Sequence, residues 1–158
     1  MKRPKRLWGI SGRFLQGPTE GRRVDTLSPQ ERSQRMALVH GKDTVPEFVV
    51  RGLVFGLGYR YRLHVRGLPG QPDIVFRKRR KVIFVHGCFW HRHTNCALAR
   101  LPKSRLDFWT PKLDGNRKRD QRNKRALAKD GWEVLTIWEC QIKDTVRLSS
   151  TIRRFLDA

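Results

Sequence analysis

Two apolar runs, "DIVF" at 73–76 and "KVIFVH" at 81–86, are separated only by the basic tetrapeptide "RKRR" in a densely charged chain. They read as an antiparallel hairpin. Side chains alternate across a strand, so Asp73 shares a face with Val75, while Val82, Phe84 and His86 share a face on the second strand. An acid at one strand's start and an imidazole at the other's end can therefore meet at one end of the hairpin.

The rest of the chain supplies cover for that hairpin. "SPQE" at Ser28–Glu31 is a helix start with a capping box, and its helix should run to about His40, with Gly41 ending it. "TVPE" at Thr44–Glu47 repeats the device. Its helix should run to about Leu57 with Phe48, Val49, Leu53, Val54 and Leu57 as the apolar face. "YRYRLHVR" alternates strictly and predicts a half-buried strand, and "GLPGQP" is a loop. Residues 97–112 read as a loop carrying Phe108 and Trp109. A helix follows from Leu113 with Gly131 as its stop, then a strand in "WEVLTIWEC" and a closing helix in "DTVRLSSTIRRFLDA". The expected fold is α/β, a sheet flanked by helices. Residues 1–27, rich in Arg, Gly and Pro without periodicity, read as a basic extended arm, leaving 28–158 as a single domain.

Thirty-five Lys and Arg against 14 Asp and Glu give a net charge of +21, a self-repulsion usually tolerated for a polyanionic partner. Nucleic acid is the first candidate. A membrane is disfavoured, because no segment joins an apolar helical face to a basic one and no apolar run approaches the roughly 20 residues of a span. No secretory signal is legible at the N-terminus, so the expected location is the cytoplasm.

The crowded stretch "VHGCFWHRHTNC" at 85–96 holds two of the three cysteines, three histidines and a Phe-Trp pair. Cys88, Cys96 and Cys140 with His93 could fill a tetrahedral metal site, although Cys88 and Cys140 could equally be small buried hydrophobes. Phe89, Trp90 and Trp109 could pack in a core or stack on bases. For hydrolysis of a phosphodiester, Asp73 could hold a hard cation, and His86 and His91 could move protons near neutral pH. Glu47 is a second acid, already occupied by the capping box of Thr44. His40 and His64 read as surface residues.

Together "TVPE", "LPGQPDIVF", "VIFVHGCFWHRH", Phe108-Trp109 and "GWEVLTIWEC" resemble the very short patch repair (Vsr) endonuclease family, from about residue 30 to the C-terminus. The resemblance implies a restriction-endonuclease-like (PD-(D/E)XK-type) fold. It also implies nicking of DNA beside the thymine of T:G mismatches left by deamination of 5-methylcytosine. Phe84-Val85-His86 stands where that fold usually carries its acid-x-lysine. The implied roles are Mg²⁺ binding by Asp73 and the Val85 backbone, with His91 as the general base for water. His86 would assist charge or proton transfer, and Glu47 would lie near the metal waters. Structural Zn²⁺ would be held by Cys88, His93, Cys96 and Cys140. Phe89, Trp90 and Trp109 would wedge into DNA, with Met36 as a further DNA contact. The implied protein is a monomer acting on double-stranded DNA, linked to a cytosine-5 DNA methyltransferase. Val85 departs from the family's usual Thr, which is harmless if only the carbonyl serves the metal, and the His93–Cys96 spacing is one residue longer than the tightest expected form. Two rival readings remain open: a nuclease of this fold with another DNA target, and a zinc-stabilised DNA-binding module without catalysis.

Overall fold

The computed structural model describes residues 41–158, together with Ser28, Gln30, Glu31 and Gln34. At the latter, Ser28 N–H donates to Glu31 Oε2 (2.7 Å) and Glu31 N–H to Ser28 Oγ (3.2 Å), the reciprocal cap read from "SPQE". The rest of that expected helix, the basic arm, His40 and Met36 lie outside the described residues.

In chain order, residues 41–158 contain α1 (Val45–Gly56), β1 (Ile74–Phe76), β2 (Lys81–His86), α2 (Leu106–Lys129), β3 (Glu133–Trp138) and α3 (Thr145–Asp157). The described sheet has the order β1-β2-β3. β1 pairs antiparallel with β2 (Ile74 opposite Ile83) and β2 pairs parallel with β3 (Val82 opposite Val134). β2 is central and covered on both faces, which is why its sequence is a continuous apolar run rather than an alternating one.

Alternation along the strands sorts the core into two layers. Ile74, Phe76, Ile83 and Ile137 pack with Val50 and Val54 of α1 and Leu148, Ile152 and Leu156 of α3. Val75, Val82 and Phe84 pack on the other face with Val65, Trp132 and Leu127 of α2. Full burial of side chains such as Ile83 and Ile152 stabilises by roughly 1.5–3 kcal/mol each. Asp73 and His86 fall by the same alternation on the α2 side, as the hairpin pattern requires.

Three sequence expectations are corrected. The stretch 59–66 is not a strand but a single bridge between Arg62 and Val75. His64, in the left-handed region at φ 49°, turns the chain away before a second pair can form. In α1, Val54 is buried and Leu53 and Leu57 pack against the core as expected, but Phe48 is exposed and Glu47, Val50 and Arg51 join the buried face, the capping box holding Glu47 inward. α2 begins at Leu106, so Phe108 and Trp109 are helical rather than in a loop. Pro111 lies within the first two turns of this helix, where its missing N–H costs one bond.

The "LPGQP" loop lies directly against α2. Gly70 has φ +75°, and a Cβ there would come within 2.7 Å of Asn123 Nδ2, so only glycine permits this approach.

Candidate active site

β2 ends at His86, and the chain then makes a helical turn, with His91 N–H donating to Gly87 O and His93 N–H to Cys88 O. The turn folds His91 back over the strand end. The His86 and His91 rings stack with centroids 3.8 Å apart and planes 12° apart. Asp120, on α2, lies 2.5 Å from His91 Nδ1 through Oδ2. One turn earlier on the same helix face, Asn116 Nδ2 donates to Trp90 O, tying the loop to α2.

Across the cleft, Asp73 Oδ2 accepts from Val85 N–H at 2.7 Å. Its Oδ1 has no donor among the described residues. Burial pushes the Asp73 carboxyl up to about 6 against that hydrogen bond, and the nearby Glu47 charge adds to the rise. Burial, then the neighbouring His91, holds His86 down at about 3, so its ring is neutral at pH 7. Its Nδ1 is buried without a partner among the described residues. For Asp120 burial acts upward, but the His91 hydrogen bond and charge outweigh it and leave the carboxylate below its usual range. Asp73, His86, His91 and Asp120 line one cleft of about 520 Å³. Lys42, Arg119, Arg122 and Lys124 make its walls basic.

Glu47 also lines the cleft, with its acceptor positions filled. Oε1 takes the Thr44 N–H and hydroxyl; Oε2 takes the Asp43 N–H and Arg51 Nη2 at 2.7 Å. Arg51 is buried and bridges Glu47 to Asp43, its Nη1 2.6 Å from Asp43 Oδ1. His64 is exposed, as its sequence context suggests, and also lines the cleft, 3.5 Å from Asp43.

The second cluster lies beyond the same loop. One ligand atom from each of Cys88, His93, Cys96 and Cys140 falls within 4.8 Å of the others, so the four could hold a metal ion. His93 Nδ1 is 3.5 Å from Cys88 Sγ and 3.4 Å from Cys140 Sγ. Burial pushes the Cys88 thiol up to about 12. Trp138 joins the two clusters: it stacks on His93 (4.1 Å, 7°) and meets His86 edge-on at 5.5 Å.

Phe89 and Trp90 come from the loop, Phe108 and Trp109 from the first turns of α2. They form one partly exposed aromatic group, with Phe89 5.4 Å from Trp109 and Trp90 6.0 Å from it. Lys112 Nζ sits over Trp90, Phe108 and Trp109 at 5.2–5.8 Å.

The sequence matches the family described as DNA mismatch endonuclease Vsr over residues 24–98. A type II nicking enzyme of Xanthomonas oryzae pv. oryzae, V.XorIIP, is 53% identical over 134 residues, covering 85% of this chain and 98% of that protein. The chain belongs to the Vsr family. The DNA mismatch endonuclease Vsr of Escherichia coli is 40% identical over 126 residues, 80% of each chain. A type II nicking enzyme of Neisseria meningitidis, V.NmeAIP, is 40% identical over 139 residues, 85% of this chain and 99% of its own. As a Vsr-family member the protein is an endonuclease acting on DNA.

Sequence reading missed Asp120, Arg51 and Trp138. Asp120 had a signal: it is the only acid between Gly115 and Lys129, a run otherwise dominated by Lys and Arg. Arg51 follows Glu47 by four residues, the spacing of a helical ion pair. Trp138 had none, because its role depends on the parallel register that sets it opposite His86.

Proposed function

We propose that this Vsr-family protein nicks one DNA strand 5′ of the thymine in T:G mismatches arising from deamination of 5-methylcytosine. Its products would be a 3′-hydroxyl and a 5′-phosphate. The observation that carries the reading is the stacked His86–His91 pair, with His91 bonded to Asp120, in the same cleft as Asp73. A hairpin joined in parallel to a third strand and covered by helices on both faces supports a restriction-endonuclease-like fold.

Asp73 and the Val85 carbonyl would hold Mg²⁺. Asp73 suits this, being a partly buried carboxylate whose Oδ1 lacks a donor among the described residues. When bound, the ion would supply charge stabilisation at the scissile phosphate. His91 does the proton work: with Nδ1 engaged by Asp120, Nε2 is left to take the proton from the attacking water. Asp120 fixes that tautomer and stabilises the imidazolium that forms. His86, neutral by burial, serves through hydrogen bonding and by stacking His91 in place. Glu47, fully hydrogen-bonded, keeps the α1 end of the cleft in shape.

The Cys88, His93, Cys96 and Cys140 set would hold Zn²⁺. Zinc bonds of about 2.0–2.3 Å in a tetrahedron put nitrogen and sulfur about 3.5 Å apart, in keeping with the 3.4 and 3.5 Å separations at His93. The buried Cys88 thiol, pushed up to about 12, also needs a cation to ionise. The aromatic group would wedge at the mismatch, because a wobble pair costs less to unstack than a matched one. The lesion would come from a cytosine-5 DNA methyltransferase acting on the same DNA in the bacterial cytoplasm.

Nicking of a T:G duplex beside its matched control, with Mg²⁺ present, tests this. Wild type should cut the mismatched duplex, and Asp73→Asn and His91→Ala should each abolish cutting. Unchanged rates in both variants would sink the residue assignment; equal cutting of the matched duplex would point to another DNA target.

A further inference from the structure

The hairpin has a second end. There the chain turns through Arg77–Arg79 and the left-handed Arg80. A groove of about 710 Å³ opens between this turn and the Gly58–Arg62 segment, lined by Arg60, Arg62, Arg77, Lys78 and Arg79 with Tyr59 and Tyr61.

The basic residues here divide into two groups. Arg79 donates to Leu156 O and lies over Tyr59, Arg80 donates to Asp130 O and lies over Trp132, and Lys81 donates to Phe155 O. These three fasten the turn to α3 and to the end of α2. Arg60 stacks on the exposed Phe55 at 4.2 Å. Arg62, Arg77 and Lys78 are exposed and make no ion pair among the described residues. The acid beside the groove, Asp157, is engaged by the Tyr59 hydroxyl at 2.7 Å. The Arg62–Val75 bridge holds Arg62 next to the turn, so like charges are gathered by backbone pairing rather than scattered. That arrangement costs self-repulsion which an anion would relieve.

We propose that this turn end is a second DNA-binding face, taking the phosphate backbone of a duplex segment other than the one in the catalytic cleft. β2 separates the two. From Lys81 to His86 is five residues, about 16 Å at strand rise, twice the Debye length of about 8 Å at physiological salt. Charge at the turn is therefore electrostatically independent of the cleft. A nuclease with two such faces can hold two DNA segments at once and pass from one to the other without release. The proposal rests on the family's action on DNA and not on the choice of mismatch.

The test titrates a short duplex into the full chain at low salt and reads stoichiometry by sedimentation, on mismatched and matched DNA alike. Wild type should bind two duplexes. In Arg62→Gln/Arg77→Gln/Lys78→Gln the second binding should weaken, and its log K against log salt slope should fall by about 2.7, at about 0.9 for each phosphate no longer neutralised. Single-turnover nicking by the same variant should be unchanged. Arg62→Lys/Arg77→Lys/Lys78→Arg should restore the second binding. One duplex per chain in the wild type overturns the proposal, as does a second binding unaffected by the Gln variant. A nicking rate that falls in step with binding assigns these residues to the substrate duplex and also overturns it.

Discussion

Replacing Asp73 by Asn should make the protein more stable at neutral pH while removing its activity. The carboxyl is raised from 3.8 to about 6, chiefly by burial. A carboxyl whose folded value lies above its unfolded one favours folding in the protonated form. That contribution is fully present below about pH 3.8 and is lost as pH rises through about 6. Two units correspond to about 3 kcal/mol, an upper figure, because the cleft admits some solvent. Asn removes the charge and can still accept from Val85 N–H. The stability difference, variant minus wild type, should be near zero at pH 3.5, grow by about 1.4 kcal/mol per pH unit between about 4 and 6, and level off above. The remaining carboxylates are common to both proteins and cancel. Chemical denaturation across that range, without divalent metal, is the assay. Millimolar Mg²⁺ should then stabilise the wild type and not the variant, since only a ligand that binds the native state shifts the equilibrium. A difference that stays flat with pH, or an Asn variant less stable than wild type at pH 7, would refute the claim that Asp73 is a partly buried charge awaiting a cation.

Asp120→Asn should lower the single-turnover nicking rate by about 10²–10⁴-fold, because the amide can hold His91 in the wrong tautomer, and should cost some stability at neutral pH, where the lowered carboxylate favours the fold. Cys140→Ser should lower bound zinc below one equivalent by elemental analysis and broaden or lower the thermal transition, since the cluster joins β3's end to the loop. Trp90→Ala and Trp109→Ala should each weaken binding to mismatched DNA by about 1–3 kcal/mol, read by competition binding. Equal loss on matched and mismatched duplexes would contradict a wedge at the mismatch.

The hairpin and its placement of Asp73 and His86 were legible because strand alternation is strict and β2 carries an unbroken apolar run. The helix after "TVPE" was legible from its cap, but not the whole of its buried face: periodicity alone favoured Phe48, whereas the cap's own geometry turns Glu47 and Val50 inward. The start of α2 was not legible: 97–112 reads as a loop, yet the helix begins at Leu106 and accommodates Pro111 in its second turn. The strand expected at 59–66 had the right alternation up to Arg62, and a left-handed backbone at His64, which no side-chain pattern reports, ended it. The Cys and His set was visible in the sequence, yet its mutual fit depends on the parallel β2–β3 register that brings Cys140 beside Cys88. Asp120 lies 29 residues from His91, and only the path of α2 across the sheet joins them.

The most direct test of the proposed activity is the position of the cut. A T:G duplex labelled in turn on each strand, incubated with the wild type and Mg²⁺, should give one product. That product should come from the thymine strand alone and end in a 3′-hydroxyl immediately 5′ of the mispaired thymine. Cutting of the guanine strand, a double-strand break, or a nick at the same position in the matched duplex would contradict it.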